Sequence, residues 1–323
     1  MNRKTLMEKV LHKNYSNIIG LMVWKDDALI YEQYAKGCTK DTQAHVYSVT
    51  KTIVSILLGI AIDQGYIDDI GQRILDFYSE YDVRAGEQTI REITLETMLT
   101  MTAPYRYKKE PYREYFMSED WVKKTLDYLG GKDKIGEFRY APIIGPDVLT
   151  GILQKTTGLP VIEFAKSNLF EPLEIHVGES ITFHGEKEQL EYYKKKETSG
   201  WVEGPSGIHT GGWGLSLSAM DLAKIGMLYL NQGKYQGKQI VSEQWIEEST
   251  SVHSRWKKFG YGYLWWLPDE SSYCAMGDGG NLLYVNPHKN VVISCVATMV
   301  TNAKDTLQLV QDYILPAIDA DEL

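Results

Sequence analysis

The stretch from Thr52 to Ile62 carries apolar side chains on nearly every side of a helical projection. A helix that is hydrophobic all round is buried in the protein, and this stretch is too short to cross a bilayer. Gly65 supplies a natural stop. We therefore predict a buried helix over 48–64, around which the rest of the chain is organised.

Ser48 and Lys51 stand at the start of this predicted helix. Three residues apart, they lie on one face, a single turn from each other. Burial disfavours the charged form of the lysine, and a neutral amine beside a hydroxyl activates that hydroxyl as a nucleophile. The alternative is that Ser48 caps the helix. A second Ser-x-x-Lys, Ser254–Lys257, lies in a polar stretch, and we interpret it as a solvated loop.

Length and charge limit the class of protein. The 323 residues can bury a large core and are expected to divide into two parts. A formal net charge of −9 argues against nucleic acid or an anionic membrane as a partner. The cysteines, Cys38, Cys274 and Cys295, indicate no disulfide framework. Residues 1–14 contain no apolar signal region, which predicts a cytoplasmic protein with no membrane segment.

Strand patterns occur at both ends of the chain and helical patterns lie between them. Ile18–Trp24 and Ala28–Tyr34 predict a hairpin, and a closing helix is expected over 303–318. The simplest arrangement is an α+β fold, an antiparallel sheet with terminal helices plus a mostly helical domain. We expect 1–66 and 232–323 to form the α/β domain and 67–231 the helical one, with the active site at their junction. The expected C-terminal strands are Tyr261–Leu267, Tyr273–Met276, Leu282–Val285 and Val291–Ala297.

Further segments follow Ser48–Lys51 in a characteristic order: Leu99–Thr102, Phe138–Tyr140, Gly211–Ser216 with Asp221–Ala223, Tyr261–Trp266, and Gly277–Gly280 ahead of Val285–Pro287. With them the chain resembles the serine β-lactamase and penicillin-binding-protein family, and within it the class C branch that includes β-lactamase-related esterases and D-amino-acid peptidases. The resemblance runs from about residue 18 to the end. It implies that Ser48 is the nucleophile of a serine hydrolase.

The second motif of that family, Tyr-x-Asn, has its positional match in Tyr140-Ala141-Pro142. By resemblance Tyr140 lies near Ser48 and Lys51 and shares the proton transfer. The alternative is that Tyr140 is an ordinary packed aromatic residue. Pro142 departs from the family, because it removes the side-chain amide that hydrogen-bonds the lysine and the substrate.

The third family motif, a basic residue on the strand beside the cleft, is best matched by Ala275-Met276-Gly277. The resemblance then implies that the backbone N–H groups of Ser48 and Asp278 form the oxyanion hole. Gly277 and Gly279 are expected beside the substrate, although a tight turn alone would also explain them. The string His209-Thr210-Gly211 matches as text but in the wrong place, so His209 and Trp213 are only candidate pocket residues, with ordinary packing as the alternative for each.

Alanine at 275 removes the cation that would hold a substrate carboxylate, and Asp278 adds negative charge. We therefore expect an esterase or amidase acting through an acyl-enzyme on small neutral or cationic substrates. The alternatives are a D,D-peptidase, penicillin-binding protein or β-lactamase, and a non-catalytic sensor or binding module on the same fold. No metal or cofactor motif is found, and the expected partner is a small ester or amide.

Overall fold

In the computed structural model, which describes residues 2–323, an eight-stranded antiparallel sheet is built from both ends of the chain. The strands of the sheet are β1 (Ile18–Lys25), β2 (Ala28–Tyr34), β9 (Ser254–Trp256), β10 (Phe259–Tyr261), β11 (Trp266–Asp269), β12 (Ser272–Gly277), β13 (Asn281–Asn286) and β14 (Val291–Ala297). Their order in the sheet is β2-β1-β14-β13-β12-β11-β10-β9. Two-residue strands lie outside it: β3 (Ala44–His45), β4 (Ser180–Ile181), β5 (Trp201–Val202), β6 (Ser216–Leu217), β7 (Lys234–Tyr235) and β8 (Lys238–Gln239).

The two termini close on each other at this sheet. Strand β1 lies between β2 and β14, and Ile18 pairs with Ala297. The N-terminal helix begins after Asn2, whose side chain accepts the N–H of Thr5 at 2.9 Å. Tyr15, which ends that helix, donates its hydroxyl to the Asp305 carbonyl at 3.0 Å. The expected α+β fold, an antiparallel sheet flanked by terminal helices, is confirmed.

Along the sequence, most of the helices lie between the N-terminal and the C-terminal strands of the sheet. The helix Ala219–Leu230 (α9) packs on the sheet although it lies within 67–231, because Gly226 brings its backbone close to Val292 and Leu283. The domain boundaries stay a prediction. The helices are α1 (Arg3–Asn14), α2 (Val49–Asp63), α3 (Leu95–Leu99), α4 (Tyr112–Phe116), α5 (Trp121–Tyr128), α6 (Asp147–Thr157), α7 (Val161–Ala165), α8 (Glu186–Tyr192), α9 (Ala219–Leu230), α10 (Glu243–Ser249), α11 (Thr306–Leu309) and α12 (Leu315–Asp319).

Helix α2 is buried from Val49 to Ala61. It packs against β12 and β13 of the sheet on one side and α6 on another. A methyl group at Gly59 would lie 2.4 Å from the Trp245 ring, so the helix and α10 are in close contact. Each fully buried leucine or isoleucine contributes about 1.5–3 kcal/mol through the hydrophobic effect. This burial fixes the start of α2, and with it Ser48, between the sheet and the helices.

Two local predictions are wrong. Tyr261–Leu267 is not one strand, because Leu264 adopts a left-handed conformation (φ 62°) and the Gly262 N–H donates to the Trp265 carbonyl at 2.9 Å, which turns the chain between β10 and β11. Ser254–Trp256 is not a solvated loop but the edge strand β9, where the Ser254 hydroxyl donates to the Thr100 carbonyl at 2.7 Å.

Across residues 2–323, every helix falls short of the length and apolar character needed to span a membrane.

Candidate active site

The start of α2 presents the Ser48 hydroxyl rather than using it as a cap. Tyr47 is held in a left-handed conformation (φ 50°), and the Thr50 hydroxyl donates to its carbonyl at 2.7 Å. Ser48 follows at the N-cap position, yet its side chain makes no capping hydrogen bond. A bulky residue with positive φ marks local strain of the kind found at functional sites. The capping interpretation of Ser48 therefore does not account for this serine.

Lys51 is 1% exposed and reaches back one turn to Ser48, where Nζ and Oγ are 2.9 Å apart. Two backbone carbonyls complete its surroundings, that of Pro142 at 2.6 Å and that of Gly212 at 2.8 Å. Burial lowers the pKa of Lys51 to about 7, against the opposing effect of the Glu110, Asp278 and Asp147 carboxylates. Burial therefore makes the neutral amine, which can take a proton, far more accessible near pH 7 than it is for an exposed lysine.

The two carbonyls come from two loops that touch each other. A methyl group on Gly212 would lie 3.1 Å from both the Pro142 and the Ile143 carbonyl oxygens, so this close approach favours glycine. Pro142 lacks the side-chain amide that the resemblance implies at this position. The backbone oxygen of Pro142 takes the place of the missing side-chain amide.

Tyr140 lies beside Ser48 and Lys51. The preceding Arg139 N–H donates to the Met101 carbonyl at 2.6 Å, and the Tyr140 ring packs 5.4 Å from that of Trp266. Lys51 Nζ lies 5.3 Å from the centre of the Tyr140 ring. Burial raises the pKa of Tyr140 to about 12, and a hydrogen bond with Ser48 opposes this rise. Ser48, Lys51 and Tyr140 are therefore brought together.

Strand β12 borders the same place. A methyl group on Gly277 would meet the Val46 carbonyl at 2.2 Å and the Ser48 nitrogen at 3.3 Å, so its backbone lies against the start of α2. Ala275 lies two residues before Gly277 on β12, so its side chain is on the same face of the sheet as position 277. It is buried and pairs with Leu283 of β13. Asp278 is exposed, and its charge raises the pKa of both Lys51 and Tyr140. Gly279 is left-handed (φ 82°) and forms the turn that follows.

His209 is not brought to this cluster. It is fully buried, and its Nε2 lies 2.9 Å from the Ser180 hydroxyl, where burial lowers its pKa to about 4. The suggestion that it lines the pocket is therefore wrong, since the surrounding core encloses the ring. Trp213 is 3% exposed and packs edge-on against Phe116 at 5.7 Å, within a buried aromatic cluster. Its ring is therefore packed in the core rather than open to a substrate.

Two carboxylates that act on Lys51 belong to no motif in the sequence. Asp147, 1% exposed at the start of α6, accepts the Gly211 N–H at 2.8 Å and the Tyr115 hydroxyl, and burial raises its pKa to about 6. Glu110 accepts the Ile144 N–H at 3.1 Å. Asp147 looks from sequence like a residue that complements the helix dipole, and nothing in the sequence distinguishes Glu110 from surface acids.

Within residues 2–323, no group of three or more histidine, cysteine, aspartate or glutamate residues is arranged to hold a metal ion. The chemistry that the site offers is that of an amine, a phenol and a hydroxyl. The amine and the phenol can accept and donate a proton while the hydroxyl oxygen forms a bond to a substrate atom.

The chain is similar in sequence to known proteins. Residues 14–312 match the family model described as Beta-lactamase. A 6-aminohexanoate-dimer hydrolase of Paenarthrobacter ureafaciens is 22% identical over 297 residues, which cover 84% of this chain and 70% of that protein.

Solved structures share the fold. An octameric penicillin-binding protein homologue from Pyrococcus abyssi superposes with a TM-score of 0.69 at 17% identity, covering 99% of this chain and 77% of the other. A family VIII carboxylesterase superposes with a TM-score of 0.68 at 14% identity, covering 98% of each chain. Because the family model spans most of the sequence, the chain belongs to the β-lactamase family, and with a curated relative that is a named hydrolase it is a serine hydrolase.

Proposed function

We propose that the protein hydrolyses small esters or amides through an acyl-enzyme formed on Ser48. The observation that carries the proposal is the 2.9 Å contact between Lys51 Nζ and Ser48 Oγ, made by an amine with a pKa of about 7. A nucleophile needs a base within hydrogen-bond reach whose pKa is close to the working pH. Lys51 meets both requirements.

In the proposed reaction the Ser48 oxygen attacks the substrate carbonyl carbon and its proton passes to Lys51. The N–H groups of Ser48 and Asp278 stabilise the resulting oxyanion. Tyr140, protonated at neutral pH, gives its proton to the leaving group as the carbon–heteroatom bond breaks, and is reprotonated by Lys51. A water molecule then attacks the acyl carbon, returns a proton to Ser48 through the same groups, and releases the acid.

The charges around the site support neutral or cationic substrates. Glu110, Asp147 and Asp278 all act electrostatically on Lys51, and Ala275 stands where the family has a basic residue. A substrate carboxylate would meet like charge here. The similarity to a hydrolase named for a 6-aminohexanoate dimer supports action on small molecules.

The proposal is tested by incubating the protein with a fluorophosphonate probe, a small p-nitrophenyl ester and a penicillin, followed by mass mapping of any adduct. We expect turnover of the ester and a fluorophosphonate adduct on Ser48. The Ser48→Ala variant should lose both, whereas Ser254→Ala, which changes the other Ser-x-x-Lys, should keep both.

Other results would favour the alternatives. Penicillin labelling of Ser48 without ester turnover would favour a D,D-peptidase or penicillin-binding protein, and penicillin turnover would favour a β-lactamase. A wild-type protein with no adduct and no turnover would favour a sensor or binding module.

A further inference from the structure

Both carbonyls that hold Lys51 belong to loops, so something else must fix their position. The Pro142 loop is tied by Glu110, whose Oε1 accepts the N–H of Ile144 at 3.1 Å and that of Ile143 at 3.4 Å. These are the two amides directly after Pro142. Charge-assisted hydrogen bonds to backbone N–H groups are stronger than neutral ones. Movement of Glu110 would therefore move the Pro142 carbonyl.

Tyr107 reinforces the same tie. Its hydroxyl lies 3.0 Å from the Ile144 carbonyl and 3.3 Å from Glu110 Oε1, so phenol, carboxylate and loop form one connected group. The Gly212 carbonyl is supported in a comparable way, since Asp147 accepts the N–H of the adjacent Gly211 at 2.8 Å. Each carbonyl acceptor of Lys51 thus has a carboxylate behind it.

We infer that Glu110 is a positioning residue of the reaction: it holds the Pro142 carbonyl against Lys51 and places a negative charge near that lysine. The inference rests on the proposed function of Ser48 and Lys51. Glu110 lies outside the motifs that the sequence displays.

The charge of Glu110 acts among a small set of groups. The groups that face Lys51 are the Ser48 hydroxyl, the Tyr140 phenol and the carboxylates of Glu110, Asp147 and Asp278. Of the three carboxylates, Glu110 raises the pKa of Lys51 the most. Burial raises the pKa of Glu110, and the two backbone N–H groups and Lys51 oppose that rise. Position and charge are therefore separable by substitution.

Two variants make that separation. Glu110→Gln keeps an oxygen that accepts the two N–H groups but removes the charge, and Glu110→Ala removes both. Glu114→Gln and Glu114→Ala are matched controls, because Glu114 is exposed on the adjacent helix and contacts Lys124 and Tyr128 instead. The measurements are ester kcat/KM against pH, the rate of fluorophosphonate labelling of Ser48, and the thermal unfolding midpoint.

For Glu110→Ala we expect kcat/KM to fall about 10–100-fold, as for misplaced catalytic groups. Glu110→Gln should keep the plateau rate within about threefold, since the tie is preserved, while the acidic limb of its pH profile moves to lower pH as Lys51 loses a stabilising charge. The Glu114 variants should match the wild type in rate and limb.

The inference would be overturned if both Glu110 variants kept the wild-type rate and the wild-type position of the acidic limb. Equal losses of kcat/KM in both variants, with the acidic limb unmoved, would also overturn it. If Glu110→Ala does not fold, the limb of Glu110→Gln decides. A wild-type protein that labels at Ser48 while these results fail overturns the role of Glu110 alone. Absence of labelling in the wild type overturns the proposed function, and the role of Glu110 with it.

Discussion

At the scale of single residues, the surroundings of Lys51 allow a neutral amine to act as the base for Ser48. An uncharged amine has two N–H groups and one lone pair. When the amine is neutral, the carbonyls of Pro142 and Gly212 can take its two N–H groups, which leaves the lone pair free to accept the proton of the Ser48 hydroxyl 2.9 Å away. A carboxylate in direct contact would instead stabilise the ammonium. Glu110 and Asp147 act from behind the two loops and Asp278 acts from the end of β12, so burial dominates and lowers the pKa of Lys51 to about 7.

The first prediction concerns pH. Lys51 must be neutral to accept the Ser48 proton, and its pKa is about 7. Ester kcat/KM should therefore fall as the pH drops through 7 and the amine is protonated, and rise to a plateau above it. Initial rates from pH 5 to 9 check this expectation. A flat profile across that window would remove Lys51 as the base.

A second prediction compares two lysines in the same kind of motif. Lys51→Ala should lower kcat/KM by about 10²-fold or more, because the base is lost. Lys257→Ala should leave the rate unchanged, since Lys257 is exposed and lies over the Trp256 ring at the sheet edge. Steady-state kinetics of both variants decide the matter. Equal effects from the two substitutions would contradict the assignment.

The third prediction tests the phenol. With a pKa raised to about 12, Tyr140 carries its proton at neutral pH and can deliver it to a leaving group. Tyr140→Phe should reduce turnover by about 10²-fold or more for a poor leaving group such as an alkyl alcohol. The loss should be smaller for p-nitrophenolate, which leaves without a proton. Equal rates for variant and wild type on both esters would show that Tyr140 has only a packing role.

At the scale of helices and strands, sequence patterns predicted the elements whose formation depends on their own residues. The apolar run after Ser48 predicted α2, and Val291–Ala297 predicted β14 with its observed ends. Tertiary contacts decided the rest. Leu264 turns because the chain there donates to Leu99 and Ser249 from other elements. The Pro142 carbonyl was not predicted, since a backbone oxygen carries no signature in the side-chain pattern.

The fourth prediction concerns the contact between β12 and α2. Gly277 has an ordinary extended conformation (φ −133°), so alanine there is disfavoured only by space: its methyl group would meet the Val46 carbonyl at 2.2 Å. Gly277→Ala should push the strand from Ser48 and lower kcat by at least about tenfold. Gly71→Ala is the control, because Gly71 is exposed and its methyl would meet only the Asp69 side chain. Comparable activity in the two variants would place the strand outside the site.

At the scale of the whole molecule, the excess of 43 acidic over 34 basic residues acts together with the site. The overall charge repels anions, and Asp278 and Glu110 bring negative charge close to Lys51. Fields of this kind change how often a charged substrate reaches a cleft, and salt screens them within about 10 Å at 0.1 M. Substrate charge is therefore expected to affect association more than chemistry.

The last prediction uses three esters that share one acyl group and leaving group but carry a positive, neutral or negative side group. At low ionic strength kcat/KM should be highest for the cationic ester and lowest for the anionic one, because the field attracts the first and repels the second. Rising salt should bring the three values together, with the neutral ester nearly constant. Asp278→Asn should narrow the spread at low salt, while Asp27→Asn, an exposed change in the β1–β2 turn, should not. Rates that favoured the anionic ester and did not change with salt would mean that a positively charged group other than the residues named here governs binding. The expected preference for neutral or cationic substrates would then have to be abandoned.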